Sequence, residues 1–226
     1  MKPKRILVGH QAAPVLTLDE AGLHVAEIAS IAAALAPFPP ATNNYPGVRR
    51  VFGPAEHAAW NYVFDLLEAA KPYIVGAFDL DGFELVEASF SIVTTQPARL
   101  TGVQRVPHFD SVDADQYALL HYVSPCSGTA FYRHLPSGIE IVTPQNVDSY
   151  VAQARAAAAR APAAYIRTGS PDYAQTGKVD GAAGRLVAYP ANLLHSGVIE
   201  EHFPGSPDPE VGRLTTNIFI RGWRND

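Results

Sequence analysis

The stretch HFDSVDADQYALLHYVSPCSGTAF, residues 108–131, joins a His-x-Asp triplet to a short apolar run and then to a turn holding Pro125, Gly128 and Thr129. Residues 117–123 combine aromatic, leucine and valine side chains over a length that suits one strand bounded by turn residues. Outward from there, residues 73–142 keep the same texture: runs rich in Val, Ile, Phe, Tyr and Thr, interrupted by Asp81-Gly82, Pro97, Pro125 and Ser137-Gly138. Such punctuation predicts strands of an antiparallel system. Strand patterns return at residues 185–189 and 213–221, with a loop dense in Pro and Gly at 203–212 between them.

Two segments break the pattern. Residues 54–70, PAEHAAWNYVFDLLEAA, place Trp60, Val63, Phe64 and Leu67 at helical spacing, open on Pro54 and run into Lys71-Pro72, which predicts an amphipathic helix ending there. A second helix is expected over 147–161, with Asn146 as its N-cap. Residues 1 to 50 show short extended stretches separated by turn signals such as Pro39-Pro40 and Tyr45-Pro46-Gly47. Helices preceding or interrupting such strands suggest an α+β double-stranded β-helix, a cupin-like jelly roll with supporting N-terminal helices. The expected organisation is one domain over 1–226, with 1–72 as a lead-in packed on a jelly-roll core at 73–226; the length of 226 residues suits this.

Composition excludes several classes of function. A formal net charge of −5 gives no general attraction to nucleic acid or to an anionic membrane. The basic residues Lys2, Lys4 and Arg5 are followed by only a four-residue apolar run, so no secretory core is present, and the longest apolar stretch, 29–38, is too short to span a bilayer. A cytoplasmic protein is expected. Cys126 is the single cysteine, which rules out an internal disulfide and any multi-thiolate metal site. A bound metal would therefore have His and carboxylate ligands.

His108 and Asp110 would share a face if they lay in a strand, offering one imidazole and one carboxylate to one ion. A facial triad needs a second His distant in sequence, and His195, in YPANLLHSG at 189–197, is the candidate. His202 competes, but its Pro- and Gly-rich loop would position it poorly. On its own, a His-x-Asp triplet is equally a surface turn or a hydrogen-bonded strand end.

From His108 to Phe219 the chain resembles the prolyl-4-hydroxylase-like branch of the 2-oxoglutarate/Fe(II)-dependent oxygenases. The residues that carry the resemblance are His108-Phe109-Asp110, the strand at 117–123, Ser127-Gly128-Thr129-Ala130-Phe131, and RLVAYP at 185–190 leading to His195. The chain is also similar to a group of uncharacterised bacterial proteins sharing Tyr45-Pro46-Gly47, HFDS at 108–111, FYRH at 131–134 and GRLT at 212–215. The resemblance implies Fe(II) held by His108, Asp110 and His195, with 2-oxoglutarate as co-substrate. It also implies hydroxylation of a small molecule, amino acid or peptide with release of succinate and carbon dioxide. A carboxylate at 110 disfavours halogenation.

The resemblance further implies a cation for the far carboxylate of 2-oxoglutarate, a task suited to the planar, two-pronged guanidinium. Arg213 opens RLTTNIF at 213–219, where Thr215 and Asn217 share its face. It lies 18 residues after His195, further than the family's usual spacing; residues 200–210 account for the excess, and Arg221 and Arg185 remain alternatives. Tyr122 is either a hydroxyl donor to the co-substrate or a core tyrosine. His121 faces the other way and is expected to be structural, His134 either lines the mouth or caps a strand, and His10, His24 and His57 are surface or packing residues. The tract Arg155 to Arg160 is expected to be a solvated helix face. Loops carry specificity in such barrels, which points to 45–47 with Arg49-Arg50, 131–134 and 200–212 as pocket walls. Two other classes stay open: a cupin-type metal enzyme without 2-oxoglutarate, which has no need of Arg213, and a non-catalytic binding module. Oligomeric state is not legible.

Overall fold

The computed structural model describes residues 1–225. Its elements run β1 (Lys2–Val8), β2 (Ala13–Asp19), α1 (Val25–Ala33), β3 (Gly47–Phe52), α2 (His57–Phe78), β4 (Gly82–Val93), β5 (Gln116–Tyr122), β6 (Thr129–His134), α3 (Val147–Arg160), β7 (Tyr173–Val179), β8 (Leu186–Pro190), β9 (His195–Gly197) and β10 (Arg213–Trp223). A seven-stranded sheet in the order β1-β2-β8-β5-β10-β4-β3 faces a three-stranded sheet, β7-β6-β9. Every pairing is antiparallel. This is the expected jelly roll.

Strand β10 shows how the sequence builds two different interiors on one sheet. Side chains alternate across a strand, so Leu214, Ile218 and Ile220 point into the core formed with α1 and α2. Arg213, Thr215, Asn217 and Phe219 point the other way and line a cavity between the sheets. Further along that second face, Tyr122, Val187 and Tyr189 pack against Phe131 of the small sheet, with the Phe131 and Tyr189 rings edge to face at 5.2 Å. The helical layer thus backs the large sheet and leaves its other face free to form a site.

The helical core carries one polar knot. Tyr62 of α2 places its hydroxyl 2.6 Å from His121 Nδ1 and 3.0 Å from Thr216 Oγ1. His121 and Thr216 face each other across β5 and β10, and both are fully buried. His121 is therefore structural, as expected. Burial pushes its imidazole down to about 4, so it stays neutral where it packs.

Two helix expectations need correction. Helix α2 does not stop at Lys71-Pro72 but continues to Phe78 with Pro72 inside it. Proline removes one backbone donor, at a cost of roughly 3 kcal/mol, yet Ile74, Ala77 and Phe78 remain buried on the helix's core stripe and retain the last turns. The helix ends at Asp79, left-handed at φ 54°. Helix α1 falls where only extended stretches were expected; it is short, and Ile28 and Ala32 anchor it against the core.

A buried carboxylate ties the N-terminal hairpin to the site's surroundings. Glu140, 2% exposed, accepts the backbone N–H groups of His10 and Gln11 at 3.1 and 3.2 Å. Its own carbonyl accepts the N–H of Leu194 at 2.8 Å. Gly9 has φ +71° and no side chain; a Cβ there would collide with the Glu140 carboxylate.

Candidate active site

The structure brings His108, Asp110 and His195 together, with one ligand atom from each lying within 4.8 Å of the others. His195 opens β9. His108 does not lie in an extended strand, as the sequence suggested; a single bridge joins it to His195. Asp110 is fixed by its own N–H, which donates to Ala191 O at 2.8 Å. The two residues therefore converge because their loop is pinned to residues 191 and 195, and not because of strand alternation.

The side-chain geometry favours a cation. Asp110 Oδ2 is 3.4 Å from His195 Nε2, and Asp110 Oδ1 is 3.8 Å from His108 Nε2. His195 Nδ1 lies 2.9 Å from Leu193 O. A carbonyl only accepts, so Nδ1 carries a proton and Nε2 is the ring nitrogen turned toward Asp110. The Tyr189 ring packs at a tilt against the His195 ring, centroids 4.7 Å apart, and limits its rotation. His108 leaves 53% of its side chain open to the cavity; the protein walls of that cavity, with His195 beside it, push its imidazole down toward about 4. It is neutral, as a metal ligand must be.

The triad opens onto a cavity of about 520 Å³, within the range of roughly 300–1,000 Å³ usual for small-molecule sites. Deeper in the same cavity lies Arg213, 8% exposed. Its Nε and Nη2 are buried with no hydrogen-bond partner among the described residues. A Cβ on Gly197, two residues from His195, would meet Nη2 at 3.5 Å, so the guanidinium reaches across to the strand that bears His195. The other two arginines weighed from sequence are engaged elsewhere. Arg185 grips Asp19 at 2.5 and 3.1 Å, and Arg221 pairs with Asp113 at 2.6 Å.

Thr215 and Asn217 line the cavity beside Arg213, with Thr215 Oγ1 donating to Asn217 Oδ1 at 2.9 Å. Tyr122 stands behind this surface: it is fully buried and its hydroxyl lies 2.7 Å from Thr129 Oγ1, and Thr129 reaches the cavity. The phenol that faces Arg213's surroundings is instead Tyr45, whose buried hydroxyl has no hydrogen-bond partner among the described residues. Burial pushes the Tyr45 hydroxyl up to about 12, against the pull of Arg213, so it remains a donor. The sequence singled out Tyr45 as a wall residue in Tyr45-Pro46-Gly47 without this role.

Other wall expectations change. Phe131 and Tyr132 are packed in the interior, and His134 is buried with its Nδ1 2.7 Å from Ser137 Oγ. Arg133 lies against His10. None of the four lines the cavity, and of the long loop's neighbourhood only Ile199 does. The outer wall is built instead by α3 and the turn Gly102–Arg105. Arg155 is exposed, as expected of a solvated helix face, and it also stands on the cavity rim with Val103, Gln104, Tyr150, Val151 and Ala154. Asn43, Asn44 and Arg49 also line the cavity, whereas Arg50 pairs with Glu56.

A sequence model described as a family of unknown function, DUF6445, matches residues 1–220. The chain belongs to this family. No curated protein matches it. Solved structures similar to this DUF6445 chain include SnoN, the non-haem α-ketoglutarate-dependent epimerase of nogalamycin biosynthesis, at 11% identity, TM-score 0.53, covering 96% of this chain and 82% of that one. The carbocyclase SnoK of the same biosynthesis gives 8% identity, TM-score 0.51, and 94% and 81% coverage. HygX from Streptomyces hygroscopicus, with iron bound, gives 13% identity, TM-score 0.51, and 93% and 83% coverage. HygX has also been solved with nickel, 2-oxoglutarate and hygromycin B. At these identities the likeness is one of fold: the chain has the jelly-roll fold of the 2-oxoglutarate/Fe(II)-dependent oxygenases.

Proposed function

We propose that this chain is an Fe(II)- and 2-oxoglutarate-dependent oxygenase that hydroxylates its substrate, with His108, Asp110 and His195 as the metal ligands. The observation that carries this is Arg213: a buried guanidinium with two nitrogens, Nε and Nη2, unpartnered among the described residues, in the same cavity as a His-Asp-His cluster. A buried cation without a counter-charge is costly, and its free fork matches a carboxylate. A metal enzyme of the same fold that did not use 2-oxoglutarate would have no need of such a group at that depth.

The donor set fits both partners. Two imidazoles and one carboxylate make the ligand set of a non-haem Fe(II) centre with open positions, and Arg213 with Thr215, Asn217 and Tyr45 would receive the co-substrate's far carboxylate. Thr129 and, through it, Tyr122 would support that pocket from behind. Bound there, iron and 2-oxoglutarate would supply, from oxygen, the power to take hydrogen from an unactivated C–H bond, leaving succinate and carbon dioxide. The chain's own part is to fix the ligands through Leu193 and Ala191, hold the co-substrate through Arg213, and present the substrate along the outer wall.

The test is anaerobic addition of 2-oxoglutarate to the Fe(II)-loaded protein, followed by visible absorption. A weak charge-transfer band is expected in the native chain and is lost in His108→Ala. Absence of the band in the native chain, with iron bound, would remove 2-oxoglutarate from the proposal.

A further inference from the structure

The cavity's charge is opposite to the chain's. The chain carries a formal −5, but the charged side chains lining the cavity among the described residues are Arg49, Arg155 and Arg213 against the single carboxylate of Asp110. Walls of one sign focus the field and attract the opposite charge. Three of the four charges are already engaged. Asp110 stands between the histidines, and Arg213 is matched above to a dicarboxylate. Arg49 is held from behind by Glu87 at 2.5 Å and by Ser89 at 3.0 Å.

Arg155 is the exception. It makes no ion pair or hydrogen bond among the described residues, although Arg160 on the same helix pairs with Asp172 at 2.8 Å. A divalent metal with Asp110, and a dicarboxylate with Arg213, would together leave the inner cavity neutral. Arg155 would then be the one uncompensated charge on the substrate's side.

The wall that leads to Arg155 is apolar. Tyr150, Val151, Ala154 and Arg155 share one face of α3, and the inner end of that face is pinned next to the triad, where Tyr150 OH donates to Pro107 O at 3.2 Å. The Phe109 ring meets Tyr150 edge-on at 5.9 Å. From Tyr150 to Arg155 the helix axis advances by about 7–8 Å, with Gln104 on the facing turn, its amide oxygen taken by the Thr101 N–H at 2.9 Å.

We infer that the substrate is a low-molecular-weight carboxylic acid with an apolar body. Its carboxylate pairs with Arg155 at the rim, and its body lies along Val151, Ala154 and Tyr150, so that the carbon beside His108 and Asp110 is several bonds from the acid group. The choice of Arg155 over Arg213 and the identity of the reacting carbon rest on the oxygenase proposal; the place of Arg155 on the cavity rim, without an ion-pair partner among the described residues, does not.

The test uses ω-phenylalkanoic acids of four to ten carbons and their primary amides, titrated calorimetrically into the full chain loaded with Ni(II) and saturating 2-oxoglutarate. The best acid should bind up to about fivefold more tightly than its amide, the scale of an ion pair with an exposed arginine, and Arg155→Gln should abolish that preference. Equal binding of acid and amide overturns the inference, as does a preference that survives in Arg155→Gln, or failure of the whole series to bind. Repeating the titration without nickel and 2-oxoglutarate separates the two proposals. If 2-oxoglutarate does not bind but acid preference still follows Arg155, the oxygenase proposal falls and this one stands. A preference that follows Arg213→Gln instead overturns this one.

Discussion

His108 and His195 hold one another through their backbones: the N–H of each donates to the carbonyl of the other, at 2.9 and 2.8 Å, with the ring centroids 4.3 Å apart. These bonds involve no side-chain atom. The loop that carries His108 and Asp110 is thus docked on β9 by main-chain hydrogen bonds.

Replacing one imidazole should accordingly remove metal binding without disturbing the fold. His108→Ala is expected to keep the native circular dichroism spectrum and to lose at least about 100-fold in Ni(II) or Fe(II) affinity, since even supporting residues around metal sites are worth 10–100-fold. Competition against a chelator of known affinity measures this. Unchanged affinity would move the metal away from His108.

Arg213 and the metal ligands should separate cleanly in a binding experiment. Loss of one member of a buried charged pair costs about 2–5 kcal/mol, so Arg213→Gln should weaken 2-oxoglutarate by between about 30-fold and a few thousandfold while metal affinity holds. Tyr45→Phe removes a single hydroxyl donor and should weaken it by roughly tenfold, the value of one hydrogen bond to a charged group. Calorimetric titration of 2-oxoglutarate into the Ni(II)-loaded variants gives both numbers. An unchanged affinity in Arg213→Gln would place the anchor elsewhere.

His121 predicts how stability varies with acidity. In the folded chain its imidazole is pushed down to about 4, whereas in the unfolded chain it protonates near 6.5. Between those values the unfolded state binds the extra proton, so stability falls as pH drops below 6.5 and the loss is complete below about 4. Lowering pH from 7 to 5 should cost about 2 kcal/mol through this residue. Urea unfolding at the two pH values measures the loss, and the difference should shrink in His121→Gln; an identical pH dependence in both proteins would acquit His121.

The parts of the site that could be read from sequence are those whose chemistry fixes the residue type. His108, Asp110, His195 and Arg213 stand in order along the chain, and the fold brings all four to one cavity. Strand alternation in β10 placed Thr215 and Asn217 beside Arg213 in the same way. What stayed hidden depends on tertiary packing. Helix α3 is alanine-rich and gives little indication of which face it turns inward, so nothing showed that the exposed Arg155 also borders the cavity. Tyr122 and Tyr45 are both phenols within reach of one pocket, and only the pairing of Tyr122 with Thr129 decides which hydroxyl is left to face the cavity. Helix α2 passes Pro72 because buried side chains beyond it outweigh a local signal.

Glu140 couples the first nineteen residues to the surroundings of the proposed metal site. Its carboxylate closes the turn between β1 and β2, while its carbonyl restrains Leu194, the neighbour of His195. Trimming that hairpin, or placing a side chain at Gly9, would strand a buried carboxylate without its donors two bonded links from a proposed ligand. The injury would be inflicted at the amino terminus and felt some 185 residues later as a loosened grip on the ion. Changes at that end of the chain are therefore site mutations in disguise.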